Sequence, residues 1–126
     1  MEQRNVLIVD DSELVLEMAR DALQAAGYQV FTATNGIEAN NVIFSRNKPN
    51  IIILDVMMPM LDGHKKAKLL KEWEFSKGIP ILLFSSKPES ELKELAEEAG
   101  ADGYIRKPFT STEIVAIVTK TLGQST

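Results

Sequence analysis

The chain has 126 residues, enough for a single domain with one hydrophobic core. Its 44% hydrophobic and 25% charged residues are typical of a globular protein and exclude a disordered or fibrous one. The net charge of −4 argues against direct binding to nucleic-acid phosphates, and the absence of cysteine excludes disulfides, thiolate metal sites and thiol catalysis.

The amino-terminal residues and the lengths of the apolar runs bear on location. The chain opens on polar residues and passes directly into a short apolar run, which is not the pattern of a secretory signal. No run approaches the roughly 20 apolar residues that a membrane helix requires. We therefore expect a cytoplasmic protein with no membrane partner.

The first predicted strand and helix lie at the amino-terminal end. Val6–Val9 is an apolar run that predicts a buried strand, and the periodicity after it predicts a helix over about residues 12–26. Gly27 is placed to end this helix in the left-handed conformation. The helix positions expected to face the core are Leu14, Met18, Ala22 and Ala25.

A second strand and helix follow. Tyr28–Thr32 predicts a short strand, and Asn35 with Glu38 three positions later predicts a capping box that opens a helix. Pro49 ends this unit. The expected apolar face of the helix is Ile37, Val42 and Ile43.

The third and fourth strands are predicted at the apolar runs Ile51–Leu54 and Ile79–Phe84. Between them, a loop at Met57–Gly63 leads into a third helix that we expect to end near Gly78. Pro88 marks the first turn of a fourth helix, where no amide hydrogen is needed. The core-facing positions of that helix are Leu92, Leu95, Ala96 and Ala99.

The last strand is short, at Tyr104–Ile105, and Thr110 with Glu113 repeats the capping-box spacing before the fifth helix. The inner stripe of that helix is Ile114, Ile117, Val118 and Leu122. Five strands that alternate with five helices, without an internal linker, predict one doubly wound α/β domain over residues 1–126. Its parallel sheet would be covered by helices on both faces.

Polar side chains follow four of these strands. Asp10 and Asp11 follow the first strand, Asp55 the third, Ser85 the fourth and Lys107 the fifth. The carboxyl ends of parallel strands share the edge where ligands bind, so we expect these residues to meet. Grouped carboxylates repel one another unless a cation neutralises them, and a hydroxyl and an ammonium beside them suit an oxyanion. The pattern predicts a magnesium-dependent phosphoryl site.

Asp55 is the predicted reacting group. It ends the most hydrophobic run of the chain, where a carboxylate is poorly solvated, and it is placed to attack phosphorus and form an aspartyl phosphate. Asp10 and Asp11 would bind the magnesium ion. For an isolated acidic pair, capping of the following helix is the simpler interpretation. The presence of Asp55 as a third carboxylate favours metal binding instead.

Ser85 and Lys107 are the predicted ligands of the phosphoryl oxygens. The hydroxyl would donate a hydrogen bond to one oxygen, and the ammonium would lie on another. Pro108 disfavours a helical conformation for the lysine, and a cis bond there would direct the lysine side chain into the crevice.

With these residues, the chain resembles the receiver domains of two-component response regulators. The resemblance rests on the acidic pair, on Asp55 within Leu-Asp-Val-Met-Met-Pro-Met-Leu-Asp-Gly, on Ser85, and on Tyr104 three residues before Lys107-Pro108-Phe109. It covers essentially the whole chain. It implies a flavodoxin-like fold with five parallel strands in the order 2-1-3-4-5.

The resemblance also implies a function. Asp55 would accept a phosphoryl group from a histidine kinase or a histidine phosphotransfer protein. Ser85 and Tyr104 would form a switch that changes the surface of the fourth helix, fifth strand and fifth helix for a downstream target. The implied ligands of Mg²⁺ are Asp10, Asp11, Asp55 and the backbone carbonyl of Met57. Such a protein is a signalling phosphoacceptor rather than an enzyme, limited to its own phosphorylation and slow dephosphorylation.

Three positions depart from the commonest pattern of that family without removing a reacting group. Ser85 stands where threonine is more frequent, Ser86 where a small apolar residue is usual, and Asn50 where an acid often precedes the third strand. Met57 and Lys87 occupy positions that border the approach of water to the phosphoryl group. Apolar Met57 cannot orient that water, so we expect the phosphorylated form to decay slowly.

Two alternatives stay open. A pseudo-receiver would bind partners without phosphorylation, and the intact acidic residues and Lys107 count against it. The chain could also be the receiver fragment of a larger regulator, since Gly123–Thr126 would equally well begin a linker. A dehalogenase-type phosphatase or a flavin carrier would need Asp-x-Asp or a glycine-rich phosphate loop after the first strand, and the sequence has neither.

Several side chains are assigned no functional role. His64, the only histidine, is interpreted as a solvated residue at the start of the third helix, without an acidic partner at helical spacing. Trp73 and Phe75 are expected to pack under the loop that follows this helix. The lysines of the helix predict a solvated face.

Overall fold

Five parallel strands form one sheet with helices on both faces. The computed structural model describes residues 3–58 and 61–124, so Pro59 and Met60 of the predicted loop and Ser125 and Thr126 of the tail lie outside the described residues. The strands of this sheet are β1 (Asn5–Val9), β2 (Gln29–Ala33), β3 (Ile51–Asp55), β4 (Ile81–Ser85) and β5 (Gly103–Arg106), and outside it Met57–Met58 pairs antiparallel with Leu61–Asp62. The helices are α1 (Glu13–Ala25), α2 (Gly36–Ile43), α3 (Gly63–Glu72), α4 (Glu89–Ala99) and α5 (Ser111–Gln124). The order β2-β1-β3-β4-β5 within these residues confirms the flavodoxin-like prediction.

The sheet divides the hydrophobic core into two layers. Alternate side chains of a strand point to opposite faces. Leu7 and Ile52 therefore pack on one side, against α2, α3 and α4, whereas Val6 and Ile51 pack on the other, against α1 and α5. Both faces of β1, β3 and β4 are buried, which explains why these strands read as unbroken apolar runs.

The predicted core faces of α1 and α2 are wrong in part. Leu14 and Met18 are exposed, and α1 instead buries a stripe that includes Leu16 and Leu23. The predicted and the observed stripe both have helical spacing. The observed stripe places two leucines against the sheet and so removes more apolar surface from water. In α2, Ile37 is likewise exposed. The predicted stripes of α4 and α5 are confirmed as buried or partly buried.

Side-chain caps fix where the helices begin. The predicted box at α5 is complete: Glu113 N donates to Thr110 Oγ1 at 3.1 Å, and Thr110 N donates to Glu113 Oε1 at 2.9 Å. At α2, Asn35 caps as predicted, but the Glu38 carboxylate accepts from Thr34 instead of closing the box. Such caps satisfy amides that have no partner within the helix.

Helix α3 ends earlier than expected, at Glu72. The buried hydroxyl of Ser76 donates to the carbonyl oxygen of Leu70 at 2.7 Å, so a side chain satisfies an acceptor near the end of the helix and the chain turns away before Gly78. Across residues 3–58 and 61–124, no helix is both long and apolar enough to span a bilayer.

Candidate functional site

The carboxyl edge of the sheet brings the predicted site residues together. Asp10 directly follows β1, Asp55 ends β3 and Ser85 ends β4, and all three are buried. Lys107 directly follows β5 and is partly buried, while Asp11 is exposed beside Asp10. The prediction that these side chains share one edge is therefore met by the geometry.

Lys107 is the cation that joins the two buried carboxylates. Its Nζ lies 2.6 Å from Asp10 Oδ2 and 3.3 Å from Asp55 Oδ2. The same Nζ lies 4.9 Å from the centroid of the Phe84 ring, which covers it on the apolar side. The Lys107–Pro108 peptide bond is cis. One ammonium is thus shared between two carboxylates.

Backbone amides hold the other oxygens of the carboxylates. Ser12 N donates to Asp10 Oδ1 at 2.9 Å, and Met57 N donates to Asp55 Oδ1 at 3.0 Å. In both cases the carboxylate accepts from the amide two residues later, which is the geometry of an Asx turn. Each Asp therefore presents its second oxygen, Oδ2, to the centre of the site in a fixed orientation.

The site carries more negative than positive charge. The pKa of the Asp55 carboxyl is raised to about 6, mainly by burial and also by the negative charge of Asp10, against the opposing effects of the Met57 amide and Lys107. A single ammonium does not compensate the three carboxylates. An added cation would relieve this imbalance.

The raised pKa of Asp55 makes the stability of the metal-free protein depend on pH. Its folded pKa is about 6 and its ordinary value is 3.8, so its contribution to stability is fully present below 3.8 and is lost as the pH rises through 6. We expect a loss of about 2 kcal/mol after allowance for solvent at the mouth of the site. In EDTA, unfolding by urea should show this fall, and Asp55→Asn should show a smaller one; equal falls would contradict the assignment.

The acidic residues can hold a divalent cation. Asp10, Asp11 and Asp55 each offer a carboxylate oxygen, and these oxygens lie within 4.8 Å of one another. Asp10 Oδ2 is buried and accepts no hydrogen bond from the described atoms, so Lys107 meets it only as an ion pair. Hard carboxylate oxygens are the ligands that Mg²⁺ prefers. The donor set and the unsatisfied oxygen therefore fit a magnesium ion.

Lys107→Met tests the charge balance of the site. Removing the shared ammonium leaves two buried carboxylates without a cation, and we expect the metal-free protein to lose about 2 to 3 kcal/mol of stability. Added Mg²⁺ should restore much of that loss. Urea unfolding with and without Mg²⁺ measures both effects.

Lys71→Met is the matched control for this substitution. Its side chain is 21% exposed, against 20% for Lys107, but it pairs with the exposed Asp102 at 3.0 Å. We expect it to cost less than about 1 kcal/mol, independently of Mg²⁺. If both variants respond alike to the ion, the charge assignment is wrong.

Ser85 and Tyr104, the predicted switch pair, lie on neighbouring strands. Ser85 Oγ accepts a hydrogen bond from Lys87 N at 3.0 Å, so the hydroxyl is engaged by the segment that leads to α4. The Tyr104 hydroxyl donates to Glu89 Oε1 at 3.0 Å, and this bond raises the pKa of the tyrosine. Ser85 therefore contacts the segment between β4 and α4, and Tyr104 contacts the first residue of α4.

Two residues of the site were not identified from the sequence. A Cβ at Gly63 would lie 2.0 Å from the Asp55 backbone oxygen, so the start of α3 packs directly on the end of β3. The only sign of this close packing in the sequence is the position of the glycine in the Leu-Asp-Gly segment. Arg106 Nε donates to Lys87 O at 2.9 Å, a contact that depends on the path of the β4–α4 segment and has no signal in the sequence.

His64 lies away from this cluster, at the start of α3. Its ring nitrogens lie 3.4 Å from Asp62 Oδ1 and 3.8 Å from Glu98 Oε2. Asp62 is the cap of α3 and Glu98 belongs to α4. Neither is therefore an acidic partner at helical spacing along α3.

Comparisons with known proteins point to one family. The family model for the response regulator receiver domain matches residues 6–119. The chain is 42% identical over 113 residues to the phosphate regulon transcriptional regulatory protein PhoB of Pseudomonas aeruginosa, which covers 90% of this chain and 49% of PhoB. It is 34% identical over 122 residues to protein PilG of the same species, which covers 94% of this chain and 90% of PilG.

A solved structure also matches over nearly its full length. It is a putative response regulator from Chloroflexus aurantiacus with a TM-score of 0.90 and 36% identity, and the match covers 97% of this chain and 99% of that one. The chain spans about half the length of the first curated relatives that it matches.

Proposed function

This chain belongs to the receiver domain family of two-component response regulators, and on that premise we propose that Asp55 is its phosphoacceptor. The phosphoryl group would come from the phosphohistidine of a kinase or of a histidine phosphotransfer protein. A downstream protein would then bind the altered surface of α4, β5 and α5. The proposed domain spans residues 1–126.

The observation that carries this proposal is the placement of the Asp55 carboxylate. It is buried, its Oδ1 is fixed by Met57 N, and its Oδ2 lies 3.3 Å from Lys107 Nζ. A pKa of about 6 leaves most of this carboxylate ionised at neutral pH, so it can act as a nucleophile.

The transfer would proceed by attack of an Asp55 oxygen on phosphorus. The bond from phosphorus to the donor imidazole nitrogen breaks and its electron pair stays on that nitrogen; the imidazole leaves neutral because the other ring nitrogen of the phosphohistidine already carries a proton. Lys107 would pair with the transferred group and stabilise the charge on its oxygens. A magnesium ion, held by Asp10, Asp11, Asp55 and the Met57 carbonyl, would supply the further positive charge that the carboxylates and phosphoryl oxygens require.

The switch would follow from the new charge on Asp55. Ser85 would move its hydroxyl from Lys87 N towards a phosphoryl oxygen, and the β4–α4 segment would move with it. Tyr104 would then leave Glu89 and turn inward. The phosphoryl group thus biases two packings of similar energy.

The direct test is incubation with acetyl phosphate and Mg²⁺, followed by mass spectrometry of the intact protein. We expect a gain of one phosphoryl group. A folded protein that binds Mg²⁺ and gains no mass would instead be a pseudo-receiver.

Met57→Asn tests the predicted slow decay of the phosphorylated form. The apolar Met57 side chain is 62% exposed beside Asp55 and offers water no hydrogen bond. A carboxamide there can orient water, so we expect decay to be roughly threefold faster or more, equal to about 0.7 kcal/mol in the barrier. Phosphate release from the purified phosphoprotein measures the rate. Met18→Asn, an exposed methionine on α1, should leave it unchanged; the same rate in both variants would contradict the prediction.

A further inference from the structure

Three aromatic side chains form an exposed cluster near the amino-terminal ends of the strands, at the opposite end of the sheet from Asp55. Phe44 directly follows α2, and Trp73 and Phe75 follow α3; their exposed fractions are 48%, 41% and 47%. The Phe44 ring centroid lies 6.1 Å from that of Trp73 and 5.2 Å from that of Phe75. These three side chains are termed the aromatic patch. The expectation that Trp73 and Phe75 pack under the next loop is therefore wrong, because both rings remain half exposed.

The aromatic patch is held in place by its neighbours. Lys48 Nζ donates to the Phe75 carbonyl oxygen at 2.8 Å and lies 4.3 Å from the centroid of the Phe75 ring. This lysine connects the α2–β3 loop to the segment after α3. Because these contacts restrain Phe75, a partner that covers its ring loses less conformational entropy on binding.

The size of the aromatic patch is that of an interface core. Three half-exposed aromatic rings present about 300 Å² of apolar surface, given the area of such side chains. A standard interface buries about 800 Å² on each partner, with aromatic residues enriched at its centre and charged residues at its rim. The patch therefore suits the centre of a small interface with a polar rim.

The charges around the aromatic patch differ on its two sides. Arg46 follows Phe44 on the α2 side and Glu72 precedes Trp73 on the α3 side, whereas the charge of Lys48 lies over the Phe75 ring. Arg46 and Glu72 form no ion pair with any described residue, whereas Glu74 pairs with Lys77 at 2.8 Å. In a two-fold assembly, the basic side of one copy faces the acidic side of the other. A second copy of this chain is the partner that satisfies both sides at once.

We propose that the aromatic patch is a homodimer interface between two copies of this chain related by a two-fold axis. The interface lies at the opposite end of the sheet from Asp55 and does not include α4, β5 or α5. Association is therefore independent of phosphorylation and leaves those elements free. The inference does not rest on the proposed phosphoryl transfer.

Association is tested by sedimentation velocity from about 10 µM to about 1 mM, which covers dissociation constants in the micromolar range. The weight-average mass should rise from 14.0 kDa towards twice that value. Trp73 is the only tryptophan, so its emission should shift to shorter wavelength over the same range. A protein that stays monomeric throughout overturns the proposal.

Substitutions locate the interface. Phe44→Ser should weaken association by at least about tenfold, whereas Leu14→Ser, which removes an exposed apolar side chain from α1, should leave it unchanged. Both positions are exposed, so neither change should unfold the protein, and circular dichroism checks this. If Leu14→Ser weakens association as much as Phe44→Ser, the assigned face is wrong.

Charge reversal tests the two-fold arrangement. Arg46→Glu and Glu72→Arg should each weaken association by about tenfold, because each places like charges opposite one another in both halves of the interface. The double variant should restore association to within about threefold of the original. Failure of the double variant to recover overturns the pairing.

Discussion

Asp55→Asn is expected to abolish phosphorylation by acetyl phosphate. The carboxamide has nearly the same size and can still accept the hydrogen bond from Met57 N, but it lacks the ionised oxygen that attacks phosphorus. Intact mass spectrometry after incubation with Mg²⁺ should therefore show no gain for this variant. The unmodified chain should gain one phosphoryl group under the same conditions.

Asp21→Asn provides the control. Asp21 is exposed on α1, on the other side of the sheet from α3, and its substitution should leave the mass gain unchanged. Residual modification of Asp55→Asn at the rate of the unmodified chain would place the phosphoacceptor on another residue. Peptide mapping would then locate it.

Gly63→Ala is expected to damage both the fold and the site. The added Cβ would lie 2.0 Å from the oxygen and 2.8 Å from the carbonyl carbon of Asp55, and 3.0 Å from the Cα of Val56. These are backbone atoms that cannot rotate away, so α3 or the end of β3 must move. We expect a loss of about 3 kcal/mol in unfolding free energy. Displacement of Asp55 should also slow phosphorylation, by about a hundredfold for a shift near 1 Å.

Gly36→Ala is the matched control for Gly63→Ala. Gly36 is also the first residue of its helix and also follows a side-chain cap, but a Cβ there would meet only Leu61 Cδ1 at 3.6 Å. Urea unfolding and the initial rate of phosphorylation should be nearly unchanged in this variant. If the two glycine substitutions have similar effects, the close packing at Asp55 has no consequence.

The convergence of the site could be predicted from the sequence because it depends on local patterns. Each apolar run ends in a polar residue, and parallel strands place such residues at one edge, so Asp10, Asp55, Ser85 and Lys107 could be grouped without coordinates. Adjacency alone did not reveal that Asp10 is buried and Asp11 exposed, because that depends on the turn after β1.

The rotation of α1 and the contacts of Gly63 could not be predicted, because they depend on tertiary packing. Two stripes of α1 have helical spacing, and only the position of the helix over the sheet decides that Leu16 is buried and Leu14 exposed. The requirement for glycine at position 63 arises from the distance between α3 and β3, and the Leu-Asp-Gly segment marks the glycine without giving that distance.

Two side chains of β5 attach the start of α4 and the segment before it to the sheet. Tyr104 bonds to Glu89, and Arg106 bonds to Lys87 O. The two residues are separated by one position, so they project from the same side of the strand. While one of the two bonds persists, it holds the donor and acceptor of the other close together, so a broken bond re-forms readily. Release is therefore cooperative, and the surface of α4, β5 and α5 should populate two discrete conformations rather than a graded series.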